Sequence, residues 1–254
     1  MDSFSVSDRN VIEHELTING NGHTISAKDE NSFISFRANA TIDNINIVDH
    51  YEDAQSFIYV QNGGTLNALE NVDINTNGFG IVVIRKDSNA TTLNFSGTIN
   101  TTSTEYAAIS GNGYDVYGST TININEGAVI NAANNIALYI PQNGIVNIAD
   151  GVTITANTVI GMKSGILNVA GGLLTATGEY VELPELYNNG QELSGDVITV
   201  EINKSYFGGK NNDNIQVNIT GGTLISNNGN ILRTVREEGN NTTIKVSGKY
   251  AAEE

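Results

Sequence analysis

The sequence predicts an all-β chain wound as a single-stranded parallel β-helix, a β-solenoid of about nine coils with three short strands in each. The first observation is a tripeptide, Thr17-Ile18-Asn19, that returns as Thr41-Ile42-Asp43 and Thr65-Leu66-Asn67 at a spacing of 24. Cognate pieces follow at Thr92-Leu93-Asn94, Thr121-Ile122-Asn123, Ile145-Val146-Asn147, Ile166-Leu167-Asn168, Gln216-Val217-Asn218 and Thr243-Ile244-Lys245. The second is that the same order of strand-like pieces recurs between these anchors. The third is composition: 27 Gly, many Asn and only 2 Pro in 254 residues. Gly and Asn supply tight turns, and scarce proline spares ladder hydrogen bonds.

One coil shows why each element forms. Phe57-Ile58-Tyr59-Val60 is a short strand that ends at the turn Gln61-Asn62-Gly63-Gly64. Thr65 to Leu69 is a second strand, Glu70-Asn71 bends the chain, and Val72-Asp73-Ile74-Asn75 is a third. Alternation sends Leu66 and Ala68 inward and Thr65 and Asn67 to solvent. First strands recur at Phe33–Phe36, Ile81–Ile84, Ala107–Ser110, Ile136–Ile140, Val159–Met162, Val197–Val200 and Ile231–Val235. Third strands carry Ile74, Ile99, Ile130, Ile154, Leu174 and Ile225. The bend before them holds Asn71, Gly97, Gly127, Gly151, Gly172 and Gly222, where a side chain would crowd the next coil.

Strands this short satisfy their backbones by stacking on their equivalents in the next coil. With strands roughly 4.8 Å apart, the stack is about 40 Å long. The repeat runs end to end, so 1–254 reads as one domain, with 1–14 as an N-terminal cap in which Phe4 and Val6 act as lids. The C-terminal end looks bare, which predicts end-to-end self-contact or continuation in a longer chain.

After the first three anchors the spacing becomes 27, 29, 24, 21, 50 and 27. The 50-residue step holds two excursions, at 178–195 (with Tyr180, Pro184 and Tyr187) and at 203–214. Excursions at 86–90, 111–119 and 203–214 all leave after the first strand of a coil, so stacking should bring them near one another. They carry Tyr114, Asp115, Tyr117, Lys204, Tyr206 and Phe207, the predicted ligand-binding set. Two readings apply to these aromatics: they fold back to cap their loops, or they hold the apolar C–H face of a sugar.

The formal charge is −16, from 28 acidic and 12 basic residues. Phosphate backbones and anionic membranes are repelled by such a surface, which argues against nucleic-acid partners. With no cysteine, neither a disulfide nor a thiolate metal site can form. No apolar run reaches the 18 residues a membrane helix needs, and no signal peptide is visible in Met1-Asp2-Ser3-Phe4.

The stretch Glu15-Leu16-Thr17-Ile18-Asn19-Gly20-Asn21-Gly22-His23-Thr24-Ile25 resembles the opening coil of right-handed parallel β-helix proteins of the pectin-lyase-like type. Thr220 to Leu224, Thr-Gly-Gly-Thr-Leu, is similar to repeats in bacterial surface proteins of that kind. The resemblance covers nearly the whole chain and implies the right hand of the helix. It implies no single activity, because the fold carries lyases, hydrolases, adhesins and phage tailspikes.

The catalytic patterns of that group are absent. Polygalacturonase-like members use Asn-Thr-Asp, Asp-Asp, Gly-His-Gly and Arg-Ile-Lys; here His23 is followed by Thr24, and Arg85-Lys86 lacks the Ile. Asp115 is the best-placed acid among the loop aromatics and Asp213 could approach it, the arrangement a hydrolase would need. Asp43, Glu70 and Asp73 could form a weak calcium site by stacking, although plain solvated surface acids are the reading to prefer; no other metal and no cofactor is expected. His14, His23 and His50 show no ligand spacing. Arg37, Gln61 and Arg85 share the 24 spacing and could flank a carboxylate, or simply end solvated strands. The outward Thr column decays to Ile145, Ile166 and Gln216, which argues against an ice-ordering face.

These readings lead to an expected function: a non-enzymatic β-helix domain of a bacterial cell-surface or secreted protein, a stalk or adhesin binding glycans or host-surface ligands. The rival is a polysaccharide lyase or glycoside hydrolase that uses Asp115 or Asp213 on an extracellular polysaccharide.

Overall fold

The computed structural model describes residues 3–51, 56–84, 90–111, 120–182, 192–202, 215–237 and 244–248. Among them there is no helix, and the strands stack as a parallel β-solenoid of about 8 turns, close to the nine coils expected. Three sheets run the length of the stack. The first sheet contains Arg9–Ile12, Phe33–Phe36, Ile58–Gln61, Ile81–Ile84, Ile109–Ser110, Ile198–Ile202 and Leu232–Arg236. The second contains Thr65–Ala68, Thr91–Phe95, Thr120–Ile124, Gly144–Ile148, Ile166–Val169, Ile215–Ile219 and Ile244–Gly248. The third contains Phe4–Val6, Val72–Thr76, Thr98–Thr101, Leu173–Ala176 and Thr223–Ser226. Where a corner is short, one bent strand serves two sheets. Leu16–Ala27 and Asn39–Asp49 join the second to the third, and Val129–Ile140 and Thr153–Met162 join the third to the next first.

Most anchors pair as the spacing predicts. Thr17 faces Thr41, Thr65 faces Thr92, and the ladder continues through Thr121, Ile145, Ile166 and Gln216. Two rungs differ, each by two residues. Thr41 faces Asn67 rather than Thr65, and Gln216 faces Lys245 rather than Thr243. A slip of two keeps every side chain on its own face, so alternation cannot detect it. At the first of these rungs the cause is visible. Ile34 and Ile58 pair at the expected 24 spacing, but the corner that follows Gln61 is longer than the one that follows Phe36. Asn62 and Gly63, with φ of 55° and 83°, fill that corner as a left-handed turn.

The glycines before the third strands do what their pattern implies. Gly127, Gly151, Gly172 and Gly222 all have positive φ, and a Cβ on Gly97 would lie 2.4 Å from the Val72 carbonyl oxygen. The inward side chains form a single apolar core, with Leu66, Leu93, Phe95, Ile154 and Val217 fully buried along it.

Residues 4–12 continue the stack. Phe4 pairs with Ile25 and Asn10 with Ile34, both in parallel ladders. Val6 packs on the core, whereas Phe4 remains 45% exposed.

The outer faces of the sheets differ. In the second sheet, outward Asn67, Asn94, Asn123, Asn147, Asn168 and Asn218 are half-buried. In the first sheet the outward Ser35, Val82, Ile84, Ser110, Lys163, Thr199 and Glu201 are all buried. The first sheet is therefore largely covered on both sides, with outward Tyr59 and Tyr139 half-buried and Arg9 and Val11 of the N-terminal rung exposed.

Candidate functional site: the outer face of the first sheet

Three strands of the first sheet are followed by segments outside the described residues: Ile81–Ile84, Ile109–Ser110 and Ile198–Ile202. The first two are neighbouring rungs. Between the second and third lie the rungs ending at Ile140 and Met162, which turn at once into the second sheet. At roughly 4.8 Å per rung, the third strand lies about 14 Å from the second.

The two tight corners between these points hold a buried polar cluster. Gln142 Nε2 donates to the Val83 carbonyl at 3.0 Å and to Thr120 Oγ1 at 2.6 Å, so one side chain ties successive coils. Gly111 makes room for it, since a Cβ there would sit 2.9 Å from the Gln142 amide carbon. Ser164 Oγ donates to Asn143 Oδ1 at 2.7 Å. Beside them Lys163 Nζ donates to Glu201 Oε1 at 2.7 Å, with side-chain exposures of 1% and 2%. Burial holds the Lys163 ammonium below its ordinary pKa, against the opposing pull of Glu201.

A second charged constellation lies at the C-terminal end of the same face. Asp196, fully buried, accepts from Arg233 Nε at 2.6 Å and from Arg233 Nη2 at 2.9 Å. It also accepts from the Asn230 backbone N–H at 2.7 Å and from Thr199 Oγ1 at 2.9 Å. Burial pushes its carboxyl up, but these donors, Arg233 foremost, hold it below the usual carboxylate range. Arg233 also donates to the carbonyls of Val181 and Ser194, and the Tyr180 ring lies 4.6 Å from its guanidinium carbon. The clamp ties both described ends of the 178–195 excursion to the rung Leu232–Arg236. Its bidentate geometry and surrounding donors make it a structural fastener rather than an open acid.

The predicted ligand-binding residues Tyr114, Asp115, Tyr117, Lys204, Tyr206 and Phe207, and the alternative acid Asp213, lie outside the described residues, as do Pro184, Tyr187 and Arg85. Tyr180 is described, half-exposed and stacked on Arg233. The Arg37–Gln61–Arg85 column does not form, because Ile84 is the residue opposite Gln61. Gln61 is buried and donates to Ser35 Oγ, while Arg37 lies 3.6 Å from Glu13 at the surface. Nor are Asp43, Glu70 and Asp73 gathered: Asp73 sits opposite Asn46, and Asn71 and Asn100 donate to Asp43 and Asp73 respectively. Among the described residues no group of three or more His, Cys, Asp and Glu is placed to hold a metal ion.

Sequence reasoning passed over Lys163, Asp196, Glu201 and Arg233, yet a signal for the first three was present. Ile81-Val82-Val83-Ile84, Val159-Ile160-Gly161-Met162 and Val197-Ile198-Thr199-Val200 do not alternate, which is the mark of strands buried on both faces. A charged residue beside such a run needs a partner, and Lys163 directly follows one while Glu201 follows and Asp196 precedes another. Ile160 pairs with Ile198 and Met162 with Val200, which sets Lys163 beside Glu201.

No protein-family model, curated protein or solved structure matches the chain.

Proposed function

We propose that the chain is a non-enzymatic β-helix domain of a bacterial cell-surface or secreted protein, a stalk or adhesin that takes a glycan at the corner after its first-sheet strands. The observation that supports this reading best is that Ile81–Ile84, Ile109–Ser110 and Ile198–Ile202, the strands after which the three excursions begin in the sequence, are rungs of one sheet. A rigid stack presents whatever leaves that corner from a fixed line. In this reading Tyr114, Tyr117, Tyr206 and Phe207 stack on sugar C–H faces, while Asp115 and Lys204 hydrogen-bond the hydroxyls. The interior polar groups of the same sheet act as fasteners, because the carboxylates of the Lys163–Glu201 and Asp196–Arg233 pairs are already engaged.

A glycan array probed with the wild type, Tyr114→Ala and Tyr206→Ala tests the reading. Each substitution should weaken binding by about tenfold, the equivalent of one aromatic contact, with the melting temperature unchanged. Wild-type binding to no glycan leaves the stalk alone. Depolymerisation of a polysaccharide that is abolished by Asp115→Asn or Asp213→Asn makes the chain an enzyme instead.

A further inference from the structure

Six Asn-Gly pairs lie among the described residues, and five of them are held in place. Asn19 Oδ1 accepts the Asn21 N–H at 2.9 Å, and a Cβ on Gly20 would lie 2.6 Å from the Asn44 carbonyl oxygen. Asn62 has its Oδ1 buried, and the Gly63 N–H donates to Thr91 Oγ1 at 3.1 Å. Asn77 donates to the His50 carbonyl and accepts from Thr102, while the Gly78 N–H donates to Thr76 Oγ1. Asn143 accepts from Ser164, and a Cβ on Gly144 would lie 2.3 Å from the Thr120 carbonyl oxygen. Asn228 donates to the Gly178 carbonyl, and the Gly229 N–H to Ser226 Oγ. Asn21-Gly22 differs on each count. Both residues are exposed, and the Asn21 side chain makes no hydrogen bond to any described residue. They fall in the gap of the ladder between Asn19 and His23, and the nearest atom to a Cβ on Gly22 would be Asn44 Oδ1 at 3.9 Å.

We propose that the fold leaves Asn21 open as a site of self-modification, at which the Gly22 backbone nitrogen attacks the Asn21 amide carbon Cγ. The N–Cγ bond forms as the Cγ–Nδ2 bond breaks, and the Gly22 N–H proton leaves with the amine as ammonia. Water then opens the five-membered imide. Addition at Cγ gives aspartate, and addition at the Asn21 backbone carbonyl carbon gives isoaspartate, whose main chain runs through the former side chain. Gly22 permits the attack because no Cβ stands beside its nitrogen. Asn21 and Gly22, with φ of 50° and 77°, form a left-handed corner. Its polar ties are the Asn21 N–H to Asn19 and Asn46 Nδ2 to the Gly22 carbonyl at 3.2 Å. Either product sets a new carboxylate on that exposed corner, while Ile18 and Ile25 on either side keep their places against the core. The first coil therefore gains negative charge as the protein ages, and this is independent of any glycan.

Incubation of the full chain in mildly alkaline buffer, followed by tryptic peptide mapping in a mass spectrometer, tests it. Cleavage after Arg9 and Lys28 releases one peptide that holds both Asn19 and Asn21, and its fragment ions tell them apart. In the folded chain Asn21 should convert at least about tenfold faster than the other five, because freeing each of those first breaks a hydrogen bond or opens the stack. An isoaspartyl-specific methyltransferase should label the peptide, and Asn21→Gln should remove that label. In urea the six rates should draw together, since the fold no longer protects the other five. Asn21 left intact over the time in which the unfolded chain converts would overturn the proposal. So would a folded rate at Asn21 no faster than at Asn62 or Asn77, or a preference for Asn21 that persists undiminished in urea.

Discussion

The first and second sheets share a backbone arrangement and an apolar interior, yet their outer faces solve different problems. On the second sheet Asn94, Asn123, Asn147, Asn168 and Asn218 each donate from Nδ2 to the Oδ1 of the asparagine one coil before, at 2.7 to 2.8 Å. The row is closed by Ser247 Oγ donating to Asn218 Oδ1 and by Asn67 Nδ2 donating to Thr41 Oγ1. These are neutral bonds in a half-wet row, and each amide keeps a further donor and acceptor for water. The first sheet has no such row. Its outward polar groups are covered, so charges there must be paired, as Lys163 is with Glu201 and Asp196 with Arg233. The difference teaches that in a solenoid the inward column specifies the stack, whereas whatever lies over a sheet decides what chemistry its outer face can tolerate.

The largest test of that contrast is the Lys163–Glu201 pair. Lys163→Met strands a buried carboxylate and should cost about 3–5 kcal/mol of unfolding free energy, whereas Lys163→Met/Glu201→Leu should recover most of it. Urea unfolding midpoints of the two variants check this. Equal midpoints would mean that the face is wetter than its burial implies, and the contrast between the sheets would collapse.

Next comes Asp196→Asn, which leaves Arg233 without its counter-charge and should cost about 3 kcal/mol at neutral pH. The sign with pH follows from a carboxyl whose folded pKa is depressed. Its stabilisation is fully present above the unfolded value of about 3.9 and is lost as pH falls through the lower folded value. Thermal melts of wild type and Asp196→Asn should therefore differ at neutral pH, begin to converge as pH falls below about 4 and meet once it lies below the folded value. A gap that persists there would show that the carboxylate's charge contributes little.

The smallest expected effect lies on the asparagine sheet. Asn123→Ala removes the bonds to Asn94 and Asn147 and should cost about 1–2 kcal/mol, at roughly 1 kcal/mol for each neutral bond. Chemical denaturation measures it. A loss as large as that of Lys163→Met would erase the distinction drawn between the two faces.

Much of the fold was legible because the signal repeats. Leu66 to Leu93 to Ile122 to Val146 is a column that any alternation count recovers, and the Gly at 127, 151, 172 and 222 marks its corners. The slips at Thr41–Asn67 and Gln216–Lys245 were hidden, because a register shifted by two offers the same faces. The candidate site was less legible. Pairing Arg37, Gln61 and Arg85 by spacing failed because the corner lengths change from coil to coil, which put Ile84 opposite Gln61 instead. Arg233 meets Asp196 across 37 residues, over an excursion whose length no repeat encodes.

The sequence by itself determined the solenoid, its three strands per coil and the inward and outward parity of nearly every strand residue, because a period of two and a repeated turn chemistry are local properties. Tertiary structure alone decided the register of each rung and the partners of Lys163 and Asp196. Those depend on corner lengths and on what covers a face, and both are set by contacts between coils rather than by any one coil's residues.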